Sequence, residues 1–220
     1  KKKICSYGLA LLVSVGFASP SLAGSSDFSG VFIAGHAEMN VVAIDGTHTT
    51  GDGDDAAKGT IGGFAPTAGY EVGFNLPLGD TFFVTLGYAD GGGGSGTIAK
   101  SKGGGNNDAE VYIKASDPHW FYIAPSISVF DNSAVYVKFG QAESNLKAEG
   151  DTTATLSGIS GDLWGIGTTT IAGNGLFFKT EAGAIQYDQF KLTGVGGSAN
   201  ATVEGNPLVG YGHLAIGYKF

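Results

Sequence analysis

The segment GHLAIGYKF, residues Gly212 to Phe220, alternates strictly. Leu214, Ile216, Tyr218 and Phe220 fall on one side, and His213, Ala215, Gly217 and Lys219 on the other. A period of two is the signature of a strand with one apolar face and one small or polar face. Chain ends are ordinarily frayed and polar. An aromatic residue closing an apolar face therefore predicts a strand held in protein or in lipid.

The same alternation recurs upstream. Val31, Ile33, Ala37, Met39 and Val41 oppose Phe32, Ala34, His36, Glu38 and Asn40. Ala68, Tyr70, Val72 and Phe74 oppose Thr67, Gly69, Glu71 and Gly73, and Phe82, Val84, Leu86 and Tyr88 oppose Phe83, Thr85, Gly87 and Ala89. Phe121, Ile123, Ile127 and Val129 oppose Trp120, Tyr122, Ala124, Ser126 and Ser128. Val135, Val137 and Phe139 oppose Tyr136, Lys138 and Gly140, and Phe178, Thr180, Ala182 and Ala184 oppose Phe177, Lys179, Glu181 and Gly183. Residues 162–171 form a sixth candidate strand whose phase the pattern leaves open. With the final segment, eight strands are predicted.

Their connections alternate in length. NLPLGD (75–80), DNS (131–133) and AGNG (172–175) carry tight-turn chemistry. Four long, polar, glycine-rich connections cover roughly 44–63, 90–117, 142–161 and 187–207. Alternating short and long joins send every short turn to one end of the molecule. Phe74, Phe82, Phe130, Phe177, Phe178, Tyr218 and Phe220 cluster beside those turns, as in an interfacial girdle.

The N-terminus supports export. Lys1 to Lys3 form a positive region, Leu9 to Ala18 an apolar core, and Ser21-Leu22-Ala23 small residues for cleavage. Residues 1–23 are expected to be a cleaved signal peptide and 24–220 a single barrel domain. The apolar core is too short for a transmembrane helix, which requires about 20 residues. Cys5 is the only cysteine, so residues 24–220 carry no thiol or disulfide.

In residues 24–220, nine lysines stand against 20 acidic residues, a formal charge of −11, and arginine is absent. Nucleic-acid binding, which requires basic groups against phosphate, is excluded as an expectation. Membrane crossing, if it occurs, falls to strands in a closed barrel.

On these residues the chain resembles the small eight-stranded outer-membrane barrels of the OmpA transmembrane-domain, OmpX and opacity-protein group. The resemblance implies an all-β, eight-stranded antiparallel transmembrane β-barrel with short periplasmic turns and four long extracellular loops. It also implies the outer membrane of a Gram-negative-type bacterium, with outer-membrane lipid as surroundings. Tyr218, Lys219 and Phe220 match the aromatic-x-Phe ending by which the barrel assembly machinery recognises such chains; Ala215 stands where that signal usually has glycine.

Candidate chemistry is sparse. His36, His48, His119 and His213 form no local metal-binding motif, so no transition-metal site is expected from spacing. Ser95, Ser157 and Ser160 complete no Gly-x-Ser-x-Gly, and no His-x-Ser pair of the outer-membrane lipid A deacylase kind occurs. No enzyme activity and no cofactor are expected. Asp52, Asp54 and Asp55 in GDGDDAAKG (51–59) are a weak divalent-cation candidate, against the plainer reading of a solvated acidic loop.

The inward face is richer. His36, Glu38, Glu71, Lys138, Lys179, Glu181, His213 and Lys219 share the small or polar phase of their strands. Glu38, Glu71, Lys138, Lys179 and Glu181 are expected to form an interior ionic network, with Glu38 and Glu71 near Lys138 or Lys179. Such a network braces a closed core or gates a narrow water or ion path. The functional expectation is a structural and surface-interaction barrel acting through acidic loops on an extracellular ligand or host surface. A small passive channel is the alternative, and an outer-membrane enzyme the outlier.

Overall fold

The computed structural model describes residues 24–49, 56–92, 96–102, 110–149, 154–172, 174–193 and 202–220. The expected signal peptide, Ser95 and the aspartates Asp52, Asp54 and Asp55 lie outside these. The strands are β1 (Gly30–Thr49), β2 (Ala56–Leu78), β3 (Phe82–Asp90), β4 (Gly96–Lys102), β5 (Glu110–Phe130), β6 (Ser133–Glu149), β7 (Ala154–Ala172), β8 (Leu176–Tyr187), β9 (Phe190–Thr193) and β10 (Thr202–Lys219).

Eight strands form an antiparallel ring in the order β1, β2, β3, β5, β6, β7, β8, β10. The ring closes where β10 pairs with β1, from Phe32 opposite Lys219 to Thr49 opposite Thr202. Closure leaves no edge with unpaired backbone groups, the condition for crossing hydrocarbon with strands. The short β4 adds to β5, and β9 adds to β10, beyond the ring.

Val31, Ile33, Met39, Val41, Leu86, Phe121, Phe139, Ile166, Leu214 and Ile216 are exposed on the outer wall. An apolar belt of this extent suits lipid and is costly in water. β7 resolves the open phase: Leu163 is buried inside, and Trp164 and Ile166 face out. Phe177 departs from the expected girdle. It is buried and meets Phe32 edge-on, with ring centroids 5.5 Å apart, while Phe178 next to it faces out.

Short turns join β2 to β3, β5 to β6 and β7 to β8. Asn174 and Gly175 take φ of 55° and 84°, the left-handed pair that suits a tight hairpin. Residues 24–28 cover this end of the lumen. A 3-10 turn over Ser25–Asp27 leads to buried Phe28, whose ring stacks on Phe83 at 4.9 Å, and Asn75 Nδ2 donates to the Phe28 carbonyl at 2.8 Å.

The long connections differ from expectation, because much of their length is strand. β1 runs on to Thr49, β2 starts at Ala56, and β5 starts at Glu110 rather than near His119. The interior explains why. Beyond Asn40 the inward side chains become apolar, and Val42, Ile44, Ile98, Ile113, Leu146, Ile159, Phe190 and Leu192 form one buried cluster. Burial of that face holds the sheet together above the belt, although the glycine-rich, polar outward positions read as loop.

Candidate functional site

The lumen between these two caps is filled by charge. Inward phase brings Glu71 from β2, Tyr122 from β5 and Lys179 from β8 together: Lys179 Nζ and Tyr122 Oη both donate to Glu71 Oε1. Lys179 also lies 4.2 Å from the centre of the Phe32 ring. A second centre forms around Glu181. Lys138 Nζ and Tyr211 Oη each donate to its Oε1 at 2.7 Å, and Tyr136 Oη donates to Oε2 at 2.7 Å. A third joins β1 to β10, where His213 Nδ1 lies 2.8 Å from Glu38 Oε1.

All five residues of the expected network are buried, and each has an oppositely charged or histidine partner. The partners differ from expectation in one respect. Glu38 pairs with His213 instead of Lys138 or Lys179, while Glu71 pairs with Lys179 and Lys138 with Glu181. Buried charges demand such satisfaction, because removing a carboxylate or ammonium from water costs several kcal/mol unless it is paired and hydrogen-bonded. Lys219 stands apart near the short-turn end, where its ammonium donates to the Ser29 carbonyl at 3.2 Å.

Spacing alone did not single out the three tyrosines as members. Tyr122 and Tyr136 lie on the inward phase, and Tyr211 precedes the terminal segment by one residue. A tyrosine on that phase among glycines is the available signal, because glycine leaves room for the ring. At Gly87 an added Cβ would fall 2.2 Å from the Tyr122 ring.

The network lies between two cavities. One of about 70 Å³ is bounded by Glu38, Asn40, Thr67, Trp120 and Tyr187 on the side of the apolar cluster. Another of about 20 Å³ is bounded by Phe28, Phe32, Phe83 and Lys179 toward the short turns. His36, packed at a tilt between Trp120 and His213 at ring-centroid distances of 5.6 and 4.8 Å, completes the centre.

Outside the belt, Lys114 and Lys147 oppose each other on β5 and β6, and Glu149 bridges them at 2.5 and 2.9 Å. Hydrogen bonds from Lys114 and then Lys147 hold the Glu149 carboxyl below its ordinary value.

No family model and no curated protein matches the chain. Solved structures do. The chain is similar to the outer membrane protein OprG from Pseudomonas aeruginosa, at 17% identity and a TM-score of 0.58, over 87% of this chain and 96% of that one. It is also similar to the outer membrane protein AlkL, solved in lipid bilayers, at 14% identity and a TM-score of 0.53, over 94% and 97%. At these identities the likeness concerns fold: the chain has the fold of a small eight-stranded outer-membrane β-barrel.

Proposed function

We propose that this protein is a sealed outer-membrane barrel that acts through the part rising beyond the bilayer, rather than through conduction. The observation that carries this reading is the central network. Glu71 and Glu181 each accept hydrogen bonds from one lysine and at least one tyrosine across the lumen. An eight-stranded barrel has an interior just wide enough for its side chains, and here two cavities lie on opposite sides of that layer. Beyond the belt, the strands extend around their own apolar core, a rigid support for acidic loops that meet an extracellular ligand or host surface. Phe220 stands 74% exposed at the opposite rim, a position open to assembly machinery.

A small gated channel is the second reading, favoured by the 70 Å³ cavity above the network. Single-channel recording of the refolded full chain separates the two. The sealed reading expects no unitary events under conditions where a known porin conducts. Reproducible openings that respond to Lys138→Met would replace it with the channel.

A further inference from the structure

Four buried polar atoms at the centre of the barrel have no hydrogen-bond partner among the described residues: both ring nitrogens of His36, Oε2 of Glu71 and Nε2 of His213. They belong to three residues on adjacent strands, β1, β2 and β10, each at least nine-tenths buried. One donor atom from each lies within 4.8 Å of the others. Buried polar atoms are rarely left without partners; Trp120 Nε1 and Ser128 Oγ are also without one among the described residues, but these four converge.

We infer that His36, Glu71 and His213 form a binding site for a zinc-class divalent transition-metal ion, clasping the seam where the first and last strands meet. Two imidazoles and one carboxylate are a borderline-soft N/O set, suited to zinc or cobalt and poorly suited to calcium or magnesium, which prefer oxygen. The spacing is already favourable. Ligands bonded at about 2.0–2.2 Å around a tetrahedral ion lie roughly 3.5 Å apart, and His213 Nε2 stands 3.6 Å from Glu71 Oε2. A small ring movement of His36, which no hydrogen bond restrains, brings in the third ligand.

The surroundings orient the ligands. Glu38 accepts from His213 Nδ1 at 2.8 Å, leaving Nε2 for the ion, the carboxylate–histidine–metal arrangement that fixes a ligand's tautomer. Glu38 is itself held by Thr67 Oγ1 at 3.5 Å, and Asn40 Nδ2 supports Thr67 at 3.2 Å. Glu71 engages Lys179 and Tyr122 through Oε1, so Oε2 remains for the metal. The three buried carboxylates Glu38, Glu71 and Glu181 face the two lysines Lys138 and Lys179. The layer thus carries one excess negative charge, which either a proton on His213 or a bound cation neutralises. The 70 Å³ cavity bounded by Glu38 and Trp120 offers the approach. Local sequence motifs could not reveal this set, because its members are 35 and 142 residues apart along the chain.

The test uses the full chain refolded in detergent, titrated with ZnCl2 and CoCl2, with CaCl2 and MgCl2 in parallel. The expected result is one Zn2+ or Co2+ per chain, the visible absorption of four-coordinate Co2+, and a zinc-dependent rise in thermal midpoint. His36→Phe keeps the packing against Trp120 and is expected to abolish binding, whereas His119→Ala at the surface leaves it intact. Glu38→Gln is expected to weaken binding about 10–100-fold. Absence of saturable binding, binding that survives His36→Phe, or equal binding of Ca2+ would overturn the site. Should His36→Phe fail to fold, imidazole 15N spectra of the unaltered chain decide. Zinc-induced shifts at His36 and His213 support the site, and unchanged spectra, as expected for a His213 imidazolium bridging two carboxylates, overturn it.

Discussion

Lys138 and Glu181 meet at 2.7 Å although their strands share no backbone ladder. β7 lies between β6 and β8, and its Gly165 leaves the space: a Cβ there would stand 3.3 Å from Glu181 Oε1 and 2.6 Å from Tyr211 Oη. The pair therefore links β6 to β8 over the inner face of β7, a constraint the backbone ladder does not supply. Breaking a buried pair by removing one partner costs about 3–5 kcal/mol, since an uncompensated charge remains. Lys138→Met and Glu181→Gln are each expected to destabilise the barrel by that order, and the double variant by less than their sum. Urea unfolding in lipid or detergent measures it, and strict additivity would show that the two do not act as a unit.

Gly87 faces the ring of Tyr122, the tyrosine that donates to Glu71. Overpacking a filled interior costs about 1–3 kcal/mol. Gly87→Ala should lower stability by that order, because the ring must move off its carboxylate. Gly59→Ala, where nothing lies within 4 Å, should stay within about 0.5 kcal/mol. Equal unfolding midpoints for the two variants would contradict this account of the glycine content.

Ile113 is 1% exposed inside the extension above the belt. Ile113→Ala is expected to cost about 2–5 kcal/mol through lost burial and the cavity left behind. The loss should be local. Amide exchange is expected to accelerate in β4, β9 and the outer ends of β5 and β6, while the strands around Glu71 keep their protection. Uniform acceleration would mean that extension and belt unfold as one unit.

Glu149 carries the pH dependence that lies outside the bilayer. Two like charges directly opposed on a ladder repel, and the carboxylate between Lys114 and Lys147 relieves that repulsion. Its folded pKa is depressed, so the stabilisation is present above the unfolded value and is lost as pH falls through the lower, folded one. A carboxyl-carbon NMR titration should place its midpoint below the ordinary glutamate value. Replacing both lysines with alanine should return it there; an unchanged midpoint would remove the lysines as the cause.

Much of this architecture is legible in one dimension. Alternation from Val31 to Val41 and from Gly212 to Phe220 assigns each side chain to lipid or lumen, because a strand's period is two whatever its partners. The same parity placed Glu38, Glu71, Lys138, Lys179 and Glu181 inside, and all five are buried. It failed where composition masked the period, as in the stretches beyond Asn40 and before His119, whose inward residues are apolar while their neighbours read as loop.

Parity states which face a side chain occupies, but not its height along the barrel axis or what stands opposite it. Those follow from strand stagger and from closure of β10 on β1, which a single strand's pattern does not contain. The registers of β6, β7 and β8 match Lys138 with Glu181, and only closure of the ring brings Glu71 on β2 to Lys179 on β8. Only closure, too, could set His36, Glu71 and His213 at one level from three strands. The sequence alone determined a membrane barrel with a charged interior; the tertiary structure decided which charges meet, because contact across a lumen depends on register.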